Sequence, residues 1–259
     1  MPPDELLDEL LAVAIAAATA AATVILSGAG QAHEVETKSS ATDLVSEVDR
    51  GAELAVVEVI AARRPGDAII AEEGSDRAGT TGVQWVIDPL DGTTNFLFGI
   101  PAYAVSVAAE VDGRSVVGVV LDPSRDEVWC AIRGRGASLD GHPLRLSPVP
   151  PSLATALVAT GFSYLPERRE TQARVVSHVL PRVRDIRRFG AAALDLCWVA
   201  AGRVSAFYEL GLQPWDLAAG VLIATEAGAE TATLADGTTL VATPGLLEPL
   251  RGLLIEGSG

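Results

Sequence analysis

The segment that most constrains this chain runs from residue 84 to 96, where an apolar stretch passes directly into two carboxylates. The apolar residues around Trp85 predict a buried strand, and Asp88 and Asp91 follow at its end. Pro89 stiffens the chain between them and removes a backbone donor. If the chain turns there, both carboxylates converge on one point, although Asp, Pro and Gly are also the usual residues of a plain turn.

The backbone of the same segment offers neutral groups beside the two carboxylates. The carbonyl of Leu90 can face a cation as an oxygen ligand, and Gly92 lets the chain come close to a ligand. The N–H groups of Gly92 and Thr93 would open the next turn, where backbone donors can hold an anion. The sequence therefore predicts cation ligands and phosphate donors side by side.

Two further acidic clusters lie where predicted elements begin or end. Glu72 and Glu73 close an apolar strand, and Asp216 follows Trp215 at the start of a predicted helix. Taken alone, the first pair is also typical of a solvated turn and the second of a helix cap.

Charge limits the classes of partner and metal. The chain has 34 acidic and 19 basic residues among 259, a formal net charge of −15. Such a surface repels phosphate backbones, so direct nucleic-acid binding is not expected, and an anionic substrate would need metal ions to attract it. Carboxylate and carbonyl oxygens favour Mg²⁺ over zinc, and His33, His142 and His178 do not have the spacing of a metal site.

The N-terminal region and the cysteines bear on the compartment. The segment 10–26 is uncharged, but acidic residues precede it, whereas a signal peptide begins with positive charge. It is also shorter than a typical spanning helix, so we expect a buried helix and no membrane partner. Cys130 and Cys197 are too few for a disulfide framework, which favours a reducing, cytoplasmic setting.

Apolar periodicity predicts two helices, then consecutive short strands, then alternating strands and helices, the pattern of an α/β fold. Ser46 and Asp49 have the spacing of a capping box at the second helix. The apolar stripe of that helix is predicted at Leu54, Val57, Ile60 and Ala61. The Pro-rich stretch 147–151 is the predicted boundary between an N-terminal α+β half, 1–146, and a C-terminal α/β half, 147–259. The predicted helices cover 4–27, 46–63, 170–179, 191–201 and 216–227. The predicted strands cover 68–72, 84–87, 102–111, 116–121, 127–132, 157–160, 204–210 and 231–234, and the segments 35–40 and 183–189 are predicted to be extended.

Together, the segments 85–96 and 215–220 resemble the two signatures of the inositol monophosphatase family, within the lithium-sensitive, Mg²⁺-dependent phosphatase superfamily. The resemblance covers nearly the whole chain in order, and the only lysine, Lys38, and the only asparagine, Asn95, fall inside its motifs. It implies a five-layer αβαβα sandwich, with the active site between the two halves. Its further motifs are 37–43 with Asp49, Glu72–Glu73, Gly190–Leu196 and Tyr208–Glu209.

The resemblance also implies roles for individual residues. Glu72, Asp88 and the Leu90 carbonyl match the ligands of a first Mg²⁺, with a third, weaker ion near Glu72. The ligands of a second Mg²⁺ match Asp88, Asp91 and Asp216. Thr93 and Asp49 match the pair that orients the attacking water, and the amides of Gly92 and Thr93 match those that hold phosphate. Glu73 matches an acid behind the metal ligands, and Lys38 matches a flanking cation near the site. The substrate alcohol would meet Asp91, Ala192, Glu209 and Asp216.

The implied activity is hydrolysis of the phosphate monoester of a small polyol, with myo-inositol 1-phosphate as the first candidate. Alternatives are histidinol phosphate, fructose 1,6-bisphosphate and 3′-phosphoadenosine nucleotides. An alternative that is not enzymatic is a regulatory protein that binds the transcription machinery. A mean hydropathy of +0.31 and the family's habit predict a homodimer.

Two segments have no single interpretation. Arg182, Arg184, Arg187 and Arg188 form a basic stretch that is either a solvated or interface surface, or a patch that steers phosphate. A bisphosphate substrate would require a second basic pocket, which the sequence does not locate. The segment 160–164 aligns with a substrate-facing loop of the family, without indicating which residue points inward.

Overall fold

The structure is a computed structural model that describes residues 2–31, 35–37, 44–146 and 152–258. Its strands form one small and two large sheets. The small antiparallel sheet pairs β1 (Val35–Thr37) with β2 (Leu44–Ser46). The seven-stranded sheet follows chain order: β3 (Ala68–Ala71), β4 (Val83–Asp91), β5 (Ala104–Val111), β6 (Arg114–Asp122), β7 (Glu127–Ile132), β8 (Gly136–Leu139) and β9 (His142–Leu144).

The five-stranded sheet comes from the C-terminal part of the chain, and its order is β11-β10-β12-β14-β13. Its strands are β10 (Leu157–Thr160), β11 (Asp185–Arg187), β12 (Ala206–Glu209), β13 (Glu230–Thr233) and β14 (Thr239–Ala242). The helices are α1 (Asp4–Gly28), α2 (Glu47–Arg63), α3 (Thr93–Leu97), α4 (Pro166–Val179), α5 (Ala192–Ala200), α6 (Pro214–Glu226) and α7 (Leu247–Ser258). Single 3₁₀ turns lie at Leu153–Thr155 and Leu180–Arg182.

Three buried clusters show how these elements stack. The first joins α1 and α2 to one face of the seven-stranded sheet. The second fills the space between the two large sheets, where α5 and α6 lie. The third joins the five-stranded sheet to α4 and α7. The layers are therefore helix, sheet, helix, sheet, helix, and the predicted five-layer α/β sandwich is confirmed.

One helix of the central layer approaches the larger sheet closely where small residues meet. A Cβ on Gly118 of β6 would lie 2.9 Å from the Ala219 carbonyl oxygen of α6, so the helix backbone rests directly on the strand. All strands of the larger sheet precede the predicted boundary, and all strands of the five-stranded sheet follow it. The boundary residues 147–151 lie outside the described part of the chain, and the division into 1–146 and 147–259 stays a prediction.

Helix α1 is long and apolar enough to cross a membrane by length and composition, and it is the one such helix among the described residues. Its inner face is nevertheless buried, at residues including Leu10, Ala17 and Ile25, and it belongs to the first cluster. A core helix of this kind passes the same hydropathy criterion as a spanning helix.

Helix α2 begins as predicted, but its buried face differs from the predicted stripe at one position. Ser46 and Asp49 form the capping box, with Ser46 Oγ accepting from the Asp49 N–H and Asp49 Oδ2 accepting from the Ser46 N–H. The predicted stripe is wrong at Leu54, whose side chain is 57% exposed. Ile60 is buried as predicted, and the same face carries Val56 and two carboxylates, Asp49 and Glu53.

The remaining differences concern ends and late elements. Strand β4 continues through Asp88 to Asp91, with a register shift against β5, where a turn was expected. The short strands β8 and β9, the strand β14 and the helix α7 were not predicted. Pro249 and Gly252 lie inside α7, and both residues argue against a helix in a sequence pattern. Pro249 is tolerated because it lies in the first turn, where backbone N–H groups have no partner within the helix.

Candidate active site

Strands β3 and β4 bring the first two carboxylates together. The strands are parallel, and Ala71 pairs with Ile87, so Glu72 and Asp88 follow side by side. The Glu72 N–H extends this ladder by donating to the Ile87 carbonyl oxygen at 3.2 Å, and the Glu72 carboxyl is close enough to Asp88 to raise its pKa. Parallel pairing at the carboxyl ends of strands thus places this pair of acids side by side.

The turn after Glu72 is held by a residue that the sequence analysis missed. Glu53, buried on α2, accepts from the Glu73 N–H at 2.7 Å and from the Ser75 N–H at 3.0 Å. The available signal was an acid four residues after Asp49, on the helix face that also carries Val56 and Ile60. Glu73 itself is absent from the walls of the cleft described below.

The end of β4 presents a carbonyl between two carboxylates. Asp88 Oδ1 accepts from the Leu90 N–H at 3.0 Å, which fixes the Asp88 side chain against its own backbone. The two oxygens of Asp91 accept from the first N–H groups of α5, at Ala192 (3.2 Å) and Ala193 (2.7 Å). A helix N-terminus stabilises a negative charge, so α5 holds Asp91 in place across the interface between the two sheets.

Asp216 enters from the third element, the start of α6. Its Oδ2 accepts from the Gln213 N–H at 2.6 Å in a capping box, and Pro214 occupies the first position of the helix. Ser106 Oγ donates to the Trp215 carbonyl oxygen at 3.2 Å and ties this loop to β5. Gln213 was another residue that the sequence analysis did not identify.

Thr93 and Asp49 form the contact that the family resemblance implied. Thr93 Oγ1 lies 2.7 Å from Asp49 Oδ1 and 3.1 Å from the Leu90 carbonyl oxygen. Asp49 is 1% exposed, and its second oxygen accepts from the Ser46 N–H and hydroxyl. The carboxylate is therefore buried behind Thr93 and oriented by the cap of α2.

Gly92 is required by its surroundings. Its φ is 90°, in the left-handed region, and a Cβ there would lie 2.9 Å from the Ala102 carbonyl oxygen. Gly92 and Thr93 both line the cleft described below. Asn95 stabilises this arrangement, because its amide nitrogen donates to the Ala102 and Phe189 carbonyl oxygens, both at 2.7 Å.

Glu209 ends β12 beside the segment that was aligned with a substrate-facing loop. Thr160 pairs with Tyr208, so Gly161 lies next to Glu209, and a Cβ on Gly161 would overlap the Glu209 carboxylate. Burial raises the pKa of Glu209 to about 7; the positive charge of Arg188 opposes this rise, and Asp216 adds to it.

The acids raise one another's pKa values. Burial raises the pKa of Asp88 well above its ordinary value, and the charges of Glu72, Asp91 and Asp216 raise it further. Burial does the same to Asp91, with Asp216 as the next cause, while the Ala193 N–H opposes the shift. The carboxylates of such a site repel one another strongly when all of them are ionised.

These side chains line one cleft of about 490 Å³ between the two sheets. Nine of the predicted site residues form its walls; Asp49 lies behind Thr93, and Lys38 falls outside the described residues. Arg188, from the basic stretch with two open interpretations, also lines the cleft, as does Arg168, which the sequence analysis did not identify. The nine are Glu72, Asp88, Leu90, Asp91, Gly92, Thr93, Ala192, Glu209 and Asp216.

The donor set fits a hard divalent cation. Four carboxylates and one carbonyl are oxygen ligands of the kind that Mg²⁺ binds. Within the described ranges, no three Asp, Glu, His or Cys side chains are already gathered in a metal-binding geometry. The carboxylates share a cleft without closing on a point.

Comparison with known proteins gives a consistent result. The model of the inositol monophosphatase family matches residues 6–256. An inositol-1-monophosphatase SuhB of Mycobacterium tuberculosis is 48% identical over 240 residues, covering 87% of this chain and 82% of the relative. A protein of Escherichia coli K12 named Nus factor SuhB is 46% identical over 199 residues, covering 76% and 74%.

Solved structures agree on the fold. The suhB protein of Bartonella henselae superposes with a TM-score of 0.90 at 36% identity and covers 95% of this chain and 98% of its own. The Mycobacterium tuberculosis SuhB structure superposes with a TM-score of 0.80 at 40% identity, covering 99% and 98%.

Proposed function

The chain belongs to the inositol monophosphatase family, and from this premise we propose that it hydrolyses the phosphate monoester of a small polyol, with myo-inositol 1-phosphate as the preferred substrate. One observation carries the proposal. Carboxylates from β3, β4 and α6 meet in one cleft, next to a threonine hydroxyl that is hydrogen-bonded to a buried aspartate.

We propose that Mg²⁺ is the metal, with two or three ions per site. Glu72, Asp88 and the Leu90 carbonyl would hold one ion. Asp88, Asp91 and Asp216 would hold another, and a third would be bound weakly near Glu72. When bound, such ions lower the pKa of a water molecule and offset the negative charge that develops on the phosphate and the leaving oxygen.

The chain's own residues would direct the water. Thr93 Oγ1 donates to Asp49 Oδ1, which leaves the lone pairs of this hydroxyl to accept a hydrogen bond from the attacking water. Asp49 would take the proton through Thr93, since its second oxygen is already occupied by the cap of α2. This geometry fixes the direction of attack and reduces its entropic cost.

The phosphate and the alcohol would bind at opposite sides of the acids. The N–H groups of Gly92 and Thr93 would hold phosphate oxygens, with Lys38 as a flanking cation and Glu73 as an acid behind the ligands. Glu209 and Asp91 would accept hydrogen bonds from ring hydroxyls. Ala192 would contact the alcohol only by van der Waals packing, because its backbone N–H already donates to Asp91.

We further propose that the protein is a homodimer, that it is located in the cytoplasm and that lithium inhibits it. Phe98 and Ile100, just after α3, are 73% and 49% exposed, and a second copy would cover this apolar surface. Light scattering should give a mass near twice 26.8 kDa; the mass of a single chain would refute the dimer.

A second candidate function is suggested by the relatives named Nus factor SuhB, namely a regulatory partner of transcription proteins. Affinity capture from a lysate of the source cells tests it, with the catalytically weakened Asp49→Asn variant as a control for substrate-linked contacts. Recovery of transcription proteins by both forms would support this role.

The test of the main proposal is phosphate release by the purified chain in Mg²⁺. The panel contains inositol 1-phosphate, histidinol phosphate, fructose 1,6-bisphosphate and 3′-phosphoadenosine 5′-phosphate. We expect the highest kcat/KM for inositol 1-phosphate, because a site that pairs ring hydroxyls with Glu209 and Asp91 discriminates against ligands that leave these buried acceptors unpaired. A higher kcat/KM for histidinol phosphate would contradict the substrate assignment but leave the metal chemistry intact.

A further inference from the structure

A second cleft of about 490 Å³ lies across α6 from the catalytic cleft. Pro214 and Leu217 of α6 line the second cleft, whereas Asp216 of the same helix turn lines the catalytic cleft. Leu222 and Val241 also line the second cleft, and both belong to the buried cluster between the two large sheets. The second cleft is therefore the open end of the layer between the sheets.

One wall of the second cleft carries two opposite charges beside one serine. Ser115 Oγ donates to Glu110 Oε1 at 3.1 Å, and Arg133 Nε donates to the Ser115 carbonyl oxygen at 2.7 Å. Ala108 and Ala131 face the layer between the sheets. Because side chains alternate along a strand, Glu110 and Arg133, two residues further along, point the same way and line the cleft.

The ends of these two side chains are available to a ligand. Among the residues that the structure describes, the terminal nitrogens of Arg133 have no hydrogen-bond acceptor and no ion pair, not even with Glu110. Arg135, two residues further along, instead pairs with Asp8 of α1 at 2.7 Å. An arginine donates to a carboxylate, and a glutamate accepts from an ammonium group, so the wall offers one site for each.

The other walls offer apolar surface and hydroxyl groups. Leu217 and Val221 of α6 are half-buried and line the cleft. The five-stranded sheet contributes Thr231 and Thr233 from β13 and Thr239 from β14. A hydrocarbon group would pack on the helix side, and a volume of about 490 Å³ is in the range of small-molecule sites.

We propose that the second cleft is a binding site for an apolar α-amino acid. The carboxylate of the ligand would pair with Arg133, its ammonium group would donate to Glu110, and its side chain would pack on Leu217 and Val221. Charge favours this ligand over a simple organic anion, because the chain has a net charge of −15 and Glu110 lies in the same cleft. The inference does not depend on the proposed phosphatase function.

The test is calorimetric titration of the full chain with L-phenylalanine and with two compounds that each lack one of its charged groups. These are 3-phenylpropionate, without the ammonium group, and 2-phenylethylamine, without the carboxylate. We expect a Kd of about 1 mM or below for L-phenylalanine, which has about twelve non-hydrogen atoms. Each of the other two should bind at least about tenfold more weakly, because it loses a charged hydrogen bond.

Variants assign the binding to the second cleft. Arg133→Ala and Glu110→Gln should each raise the Kd for L-phenylalanine at least about tenfold. Glu110→Gln keeps the shape of the side chain, so it stays informative if Arg133→Ala, which also loses the contact with the Ser115 carbonyl oxygen, does not fold. The matched control is Arg135→Ala, which removes only an exposed ion pair and should bind within about threefold of wild type.

Asp88→Asn is a further control, because it alters only the catalytic cleft and should leave the Kd for L-phenylalanine unchanged. The absence of saturable binding by wild type would overturn the site. Equal affinity for 3-phenylpropionate or 2-phenylethylamine, or an equal loss in Arg135→Ala, would do the same. A loss in Asp88→Asn without a loss in Glu110→Gln would place the ligand in the catalytic cleft and overturn the proposal as well.

Discussion

At the scale of single residues, the site is built from oxygens whose partners are fixed before any substrate arrives. Asp49 gives one oxygen to the cap of α2 and the other to Thr93. Asp91 is held by two N–H groups of α5, and Asp216 by the Gln213 N–H. Each of these three carboxylates is therefore held by at least one hydrogen bond, and catalytic groups held in this way need little reorganisation during the reaction.

Gly161 offers a test of how Glu209 is positioned. Its φ is not in the left-handed region, so alanine fits the backbone, but the new Cβ would overlap the Glu209 carboxylate. We expect Gly161→Ala to lower kcat/KM for inositol 1-phosphate at least about tenfold, the cost of a disturbed hydrogen bond to a charged group. For p-nitrophenyl phosphate, which has no ring hydroxyls, the loss should stay within about threefold.

The matched control for this variant is Gly252→Ala. A Cβ on Gly252 meets nothing within 4 Å, and the residue lies inside α7, so the change should slightly stabilise the protein. Equal losses on both esters in Gly161→Ala would mean that Gly161 does not act through Glu209.

At the scale of elements, the site depends on how strand ends and helix starts are braced. Helix α2 contributes Asp49 to the reacting groups and Glu53 to the turn that carries Glu72. The parallel pair β3 and β4 then sets Glu72 beside Asp88. Bracing at this level decides whether the carboxylates can close around a cation.

Glu53→Ala should therefore weaken metal binding without removing a ligand. The variant leaves the Glu73 and Ser75 N–H groups without their acceptor, and loss of such a supporting contact typically lowers metal affinity about 10–100-fold. Titration of activity and of thermal stability with Mg²⁺ measures the shift. The control is Glu58→Ala on the exposed side of the same helix; a Glu53→Ala protein with the Mg²⁺ affinity of this control would contradict the role.

The elements also show what a sequence can predict. The capping box at Ser46, the acids at the ends of β3 and β4, and the layer order were predicted, because local spacing and motif resemblance specify them. The role of Glu53 was not, since it depends on a turn 20 residues further along the chain. Leu54 was assigned to the wrong face of α2 because a stripe of hydrophobicity does not reveal buried carboxylates.

At the scale of the whole molecule, metal binding should be linked to stability and pH. In the metal-free protein the pKa values of Asp88, Asp91 and Glu209 are raised above their ordinary values. For acids with raised folded-state pKa, the associated stability is present below the ordinary pKa. It is lost as pH rises through the folded pKa, about 7 for Glu209.

We thus predict that the Tm of the metal-free protein falls between about pH 5 and pH 8, and that saturating Mg²⁺ removes much of the fall. Thermal unfolding in EDTA and in Mg²⁺ measures this. Glu209→Gln should show a smaller fall than wild type. A Tm in EDTA that stays level or rises over this range would contradict the electrostatic account of the cleft.

The two halves are joined by the layer between the sheets. We propose that 1–146 does not fold alone, because β6 presents Gly118 to α6 and the apolar face toward α5 and α6 would be exposed to water. Expression of that fragment should give a protein without a cooperative unfolding transition.

The central claim, that this cleft is a two-metal phosphatase site, is tested most directly by phosphate release from inositol 1-phosphate as a function of Mg²⁺ in wild type and Asp88→Asn. Asparagine has the shape of aspartate, and it is neutral, as burial favours for Asp88 by raising its pKa. The variant should therefore fold, and its Tm in EDTA measures this. We predict no turnover without Mg²⁺ and a loss of at least about 10³ in kcat for Asp88→Asn, since this carboxylate would hold both ions. Activity of the folded variant within about tenfold of wild type would contradict the account.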